Sequence, residues 1–104
     1  MSKQHPIEEE LETERKRLEE EINVEIGRVV RAYRKYHNIT SDDLAYSLGI
    51  SYSQMMNIER GTTTTNYQTI LQLNCLIGKD FELALANAKA KMDLFLKKYH
   101  LDDV

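Results

Sequence analysis

The stretch Thr40–Gly61, TSDDLAYSLGISYSQMMNIERG, contains two short helix patterns joined by a tight turn. Thr40 is an N-cap residue whose hydroxyl can accept a first-turn amide proton, with Asp43 as the acidic partner of a capping box. Leu44, Ala45 and Leu48 follow as an apolar stripe, and Gly49 supplies the positive φ that a helix C-terminus favours. Ser51 and Gln54 repeat the capping box after Ile50. Met55 and Ile58 then share a face until Gly61. Two helices of about eight and nine residues joined by Gly-Ile-Ser cross at a steep angle, and Ala45 is small enough to let the backbones approach.

Outward from this stretch, 104 residues suffice for one domain with a modest core. With 41% hydrophobic residues, one proline and four glycines, the chain is expected to be folded and mostly helical. A single cysteine, Cys75, excludes an intramolecular disulfide framework and a thiolate metal site, and its apolar neighbours predict a buried thiol. No apolar run is long enough for a membrane span or a signal-peptide core, so a cytoplasmic protein without membrane contact is expected.

The net charge of -3 is unevenly spread. Residues 1–25 hold nine glutamates against Lys3, Arg15, Lys16 and Arg17. Residues 26–78 hold Arg28, Arg31, Arg34, Lys35 and Arg60 against Asp42, Asp43 and Glu59, and the remainder balances. The only basic segment therefore coincides with the paired helices, which matters for any polyanionic partner.

Pro6 suits the first position of a helix, and Glu8, Glu9 and Glu10 suit its positive end. Ile7, Leu11, Leu18 and Ile22 recur on a narrow stripe, too polar around its rim for a core helix. The spacing predicts either a charged strut along the domain or a short coiled-coil seam interrupted by Glu14. Nothing between Ile22 and Tyr36 breaks the helix strongly, although Asn23 and Gly27 weaken it. Ile26, Val29, Val30 and Tyr33 carry the stripe onward, Asn38 is the left-handed terminator, and Ile39 turns back into the core.

After Gly61 the run TTTTN reads as a loop. Thr65 with Gln68, or Asn66, can cap a fourth helix whose apolar positions are Tyr67, Ile70, Leu71, Leu73, Leu76 and Ile77. Gly78 ends it. Asp80 is the expected cap of a last helix with Phe81, Leu85, Ala88, Met92, Phe95 or Leu96, and Tyr99 on one stripe. Its half from Met92 to Leu101 has no evident partner in the chain and can either cover the amino-terminal strut or pair with another subunit. The expectation adopted is a homodimer.

From Ile26 to Phe81 the chain resembles the Cro and lambda-repressor type of helix-turn-helix domain, also called the XRE family. The resemblance rests on IGRVVRAYRKYHNIT, DDLAYSLGIS, YSQMMNIERG and YQTILQLNCLIGKDF, and it covers a little over half the chain. The combination of LA, LGIS and IERG at these offsets is specific; any one alone is weak. It implies an all-α, five-helix lambda-repressor-like fold, with 1–22 as a charged helical extension, 23–81 as the DNA-binding unit, and 82–104 as a long C-terminal helix for dimerisation or support.

The resemblance also implies roles. Arg34 would pair with Glu59 near the end of the recognition helix. Base-reading positions fall at Tyr52, Ser53 and Asn57, with Gln54 close by, where Asn57 can address adenine. Phosphate contacts are expected from Arg28, Arg31, Lys35, Ser41, Ser51, Arg60, Thr62 and Thr63. Two positions depart from the family: Ser41 replaces the usual glutamine at the start of the second helix, and Thr62 replaces a lysine or arginine. Fewer ion pairs with phosphate imply lower affinity and a shallower salt dependence.

The function so implied is a dimeric, sequence-specific transcriptional regulator acting on double-stranded operator DNA. Two alternatives use the same domain: an antitoxin that binds both its operator and a toxin, and a protein-interaction module that retains the fold without DNA. Enzymatic activity and cofactors are not expected, because His5, His37 and His100 lack a ligand spacing and no phosphate-cradling glycine loop is present.

Overall fold

The structure, a computed structural model, describes residues 6–63 and 65–101, with side chains from Glu8 onward. The calls on His5, on the side chain of Ile7, on Thr64 and on the outer ends of the two terminal segments lie outside the described residues. The described residues form five helices and no strand: α1 (Pro6–Tyr36), α2 (Ser41–Leu48), α3 (Tyr52–Arg60), α4 (Tyr67–Ile77) and α5 (Lys79–Lys98).

The amino-terminal strut and the first helix of the expected domain are one element. A 31-residue helix rising about 1.5 Å per residue is about 46 Å long. It accounts for most of the 52 Å long axis of the molecule. The radius of gyration, 16.1 Å, exceeds the roughly 13 Å of a compact domain of this length, so the molecule is elongated along α1. The boundaries expected at 22/23 and 81/82 consequently fall inside α1 and α5.

Local signals place the helix ends. Thr40 accepts the Asp43 amide at 3.1 Å, and Gly49 closes α2 at φ 71°. Only the Ser51–Gln54 box closes in both directions: Gln54 N–H donates to the Ser51 hydroxyl, and Ser51 N–H donates to Gln54 Oε1. Asn66, not Thr65, caps α4 by accepting from the Thr69 amide. The expected Asp80 cap is not formed. A single residue, Gly78 at φ 82°, separates α4 from α5, which starts at Lys79 without a side-chain cap; Asp80 lies in its first turn.

Ile26, Val30, Leu44, Ala45, Leu48, Met55, Ile58, Leu73 and Phe81 form the central core, drawn from all five helices. Away from it, α5 runs back along α1. Phe95 and Leu18 are both buried there, and Arg15 lies over the Phe95 ring at 5.6 Å. Of the two partners open to the Met92–Leu101 half, the Phe95 stripe takes the intramolecular one and covers the strut, while Leu94 on the same half stays exposed.

Glu14 does not interrupt the seam as a stray charge. Its Oε1 accepts from Lys98 Nζ at 2.9 Å and from the Tyr99 hydroxyl at 2.8 Å. Cys75 corrects the reading of α4. It is exposed, because Thr69 and Leu73 define the buried side and two further residues rotate about 200° around a helix. Tyr67 and Leu71, expected on the inner stripe, are exposed for the same reason, each standing two residues before a buried one; Leu76, also expected inside, is 41% exposed although it lies about 60° from Leu73 around the helix.

Candidate nucleic-acid interface

Helix α3 is held by its inner face and by its C-terminal end. Met55 and Ile58 are buried, whereas Tyr52, Ser53, Gln54 and Asn57 are all exposed. The sequence thus splits nine residues into an anchor and a polar outer face.

The end of α3 meets α1 backbone to backbone. A Cβ at Gly27 would fall inside contact distance of the Ile58 carbonyl oxygen and 2.7 Å from that of Glu59. At Gly61, held at φ 73°, a Cβ would lie 2.6 Å from Val24 Cα. Both glycines are required by this approach; Gly27, which weakens a helix by propensity alone, is the point where α3 docks.

A second tie is ionic. Arg34 Nε donates to Glu59 Oε2 at 2.7 Å and Nη2 donates to Oε1 at 3.0 Å, while Nη1 donates to the Ile39 carbonyl at 3.1 Å. One guanidinium therefore joins α1, the link into α2, and α3. The Glu59 side chain is 4% exposed and that of Arg34 17%. The Arg34 pKa is raised, first by the hydrogen bonds to Glu59; burial opposes this, and Tyr52 lies near enough to add a smaller contribution upward. Bidentate geometry orients the end of α3 because neither partner can rotate without losing a charge-assisted bond.

The candidate contact residues are distributed unequally. Ser51 and Gln54 are committed to each other at the start of α3, which leaves the Gln54 amide nitrogen as the donor of its head group. Thr62 folds back on α3, its hydroxyl donating to the Asn57 carbonyl at 3.3 Å and reaching Asn57 Oδ1 at 3.4 Å. Thr63 and Arg60 are exposed nearby in sequence, and Ser41 is half-buried at the start of α2. Arg31 and Lys35 are exposed one turn apart on α1. Arg28 shares a hollow with Arg17, Glu20, Glu21, Glu25 and Lys91, so its charge stands in a mixed field.

Three contacts that carry the site have no local sequence signal. The Gly27 and Gly61 approaches become visible only once α1 and α3 are in contact, and Gln72 Nε2 ties α4 to the end of α2 by donating to the Leu48 carbonyl at 3.0 Å. Among the described residues, no three His, Cys, Asp or Glu side chains gather to hold a metal ion, and no helix is long and apolar enough to cross a membrane. Compared with protein-family models, curated proteins and solved structures, the chain matches none of them.

Proposed function

We propose that the chain is a helix-turn-helix protein of the Cro and lambda-repressor type that binds operator DNA as a dimer and regulates transcription. The observation that carries this reading is α3 itself, a short helix anchored by Met55 and Ile58, braced by Arg34 and Glu59, and presenting Tyr52, Ser53 and Asn57 outward. A B-DNA major groove about 12 Å wide admits such a helix. Asn57 has the amide head group that pairs with the adenine edge, Ser53 is permissive, and Tyr52 can pack on a thymine methyl or donate to phosphate. Arg31, Lys35 and Arg60 supply charge for the backbone, and the hydroxyls of Ser41, Ser51 and Thr63 supply neutral donors.

With few cations available, affinity depends on two half-sites being read at once and falls gently with salt. The test is selection of bound sequences from a random DNA pool, followed by an electrophoretic shift assay. Asn57→Ala is expected to cost about 1–3 kcal/mol of discrimination at one base position. Arg31→Ala is expected to weaken all sequences alike and lower the salt slope by about 1. Failure of the unmutated protein to form any sequence-selective complex rejects the proposal.

A further inference from the structure

The two amide side chains on the outer face of α3 are held differently. Gln54 stands in the first turn and Asn57 one turn later on the same face, and both are exposed. Gln54 Oε1 accepts the Ser51 backbone N–H at 2.8 Å, while the Gln54 backbone N–H donates to the Ser51 hydroxyl at 3.1 Å. Turning the Gln54 oxygen outward would therefore open a box closed in both directions and strip a backbone donor at the start of α3 of its partner. Asn57 has no comparable hold. The Thr62 hydroxyl that reaches its Oδ1 at 3.4 Å also reaches the Asn57 carbonyl at 3.3 Å, and it has one proton to give.

We infer that Gln54 is a donor-only base reader that selects guanine, where an unrestrained glutamine would select adenine. The inference rests on the DNA-binding reading proposed above, and the first turn of a recognition helix is the part that reaches base edges. An amide pairs with adenine by accepting from N6 and donating to N7, so both of its ends must lie on the base edge. The amide group is planar, and with its oxygen turned back to Ser51 only the Nε2 protons are left for a base. In the major groove guanine offers two acceptors, O6 and N7, and thymine offers O4; adenine sets its N6 donor beside N7, and cytosine offers only the N4 donor. A donor at the base edge thus ranks guanine first and thymine second. Guanine is read with the box closed, whereas full pairing with adenine requires the box to open. Asn57, held only by a shared hydroxyl, keeps both ends for adenine, so the two amides of one helix face read different purines. Arginine and lysine read the same guanine atoms with a charge; Gln54 is neutral and adds selectivity without steepening the salt dependence.

Gln54→Glu is the decisive variant. A glutamate at this position still closes the capping box, so α3 keeps its start, but the outward end of the side chain becomes an acceptor. Sequences are selected from a random DNA pool with the unmutated full chain and with the variant, and base preference is compared in place of affinity, because the added negative charge weakens all DNA alike. At the position whose preference depends on Gln54, the unmutated protein is expected to favour guanine over adenine by about tenfold or more. Gln54→Glu should lose that preference and turn toward cytosine, whose N4 donates. Asn57→Ala should leave the guanine in place and relax a different position. Without DNA, hydrogen exchange of the Ser51 amide should accelerate in Gln54→Ala and stay slow in Gln54→Glu. Adenine at the Gln54-dependent position, guanine retained by Gln54→Glu, or a Ser51 amide indifferent to Gln54→Ala overturns the inference and leaves the proposed function standing. Absence of any sequence-selective complex rejects both.

Discussion

The two ends of α1 are held by different physics. Around residues 24–34 the helix is gripped by backbone contact through Gly27 and Gly61, by the partly buried Arg34–Glu59 pair, and by a core drawn from all five helices. Around residues 11–21 it lies against α5, with Phe95 and Leu18 as the buried pair. The ion pairs there are solvent-exposed to different degrees: Lys98 with Glu14, and Lys91 with Glu21 and Glu25. Close contact that excludes water gives fixed orientation, whereas exposed pairs are screened and worth little individually. The rigid end is the one that presents α3.

This contrast is sharpest between two phenylalanines of the same helix. Phe81→Ala removes a fully buried ring from the central core and is expected to cost about 4 kcal/mol of global stability in urea unfolding. Phe95→Ala is expected to cost about 3 kcal/mol, expressed as local opening. Hydrogen exchange should accelerate around Leu18 and Phe95 while amides around Met55 and Leu73 keep their protection. If both variants unfold every region together, the two ends are a single cooperative unit.

Gly27→Ala ranks next, at about 3 kcal/mol, because the added carbon meets carbonyl oxygens of α3 that cannot rotate away. Ordinary helix propensity favours alanine over glycine, so the sign of the effect separates docking from propensity. A stabilised variant would show that α3 does not press on α1 there.

The smallest effect is expected at Glu14. Lys98 first and Tyr99 second hold its carboxyl below the ordinary value of 4.5, and the same bond holds Lys98 above 10.5. A lowered carboxyl pKa contributes stability that is complete above the unfolded value and lost as pH falls through the folded one. A raised lysine pKa contributes stability that is lost as pH rises through the folded value. Thermal melts should therefore show Glu14→Gln slightly below the unmutated protein near neutrality and converging with it at acid pH. A constant gap across the acid range would assign the loss to packing.

How much of this was legible before folding depended on the range of the interaction. The ends of α2 and α3 follow from neighbours: Thr40, Ser51, Gly49 and Gly61 each act within a few residues on the backbone groups that a helix terminus leaves unpaired. The inward positions Leu44, Leu48, Met55 and Ile58 follow from helical periodicity. Periodicity failed on α4, where apolar residues circle the helix and only packing decides that Leu73 turns in while Leu71 and Cys75 turn out. It also failed at Asp80, because the chain passes from α4 to α5 through Gly78 alone and no room is left for a capping residue. The polar face of α3 was legible as Tyr52, Ser53, Gln54 and Asn57, but the commitment of Gln54 to Ser51 narrows what that face can offer.

By itself the sequence determined that the chain is helical, where its two shortest helices start and stop, and that a net positive charge is confined to residues 26–78, because each of these is set by local chemistry or by composition. Tertiary structure decided that α1 is continuous, that α5 returns to cover the strut through Leu18 and Phe95, and that Gly27 receives the end of α3. It also left α4 with an uncharged outer face. These outcomes depend on residues dozens of positions apart, and only their contact in space determines whether an apolar side chain is buried or left open.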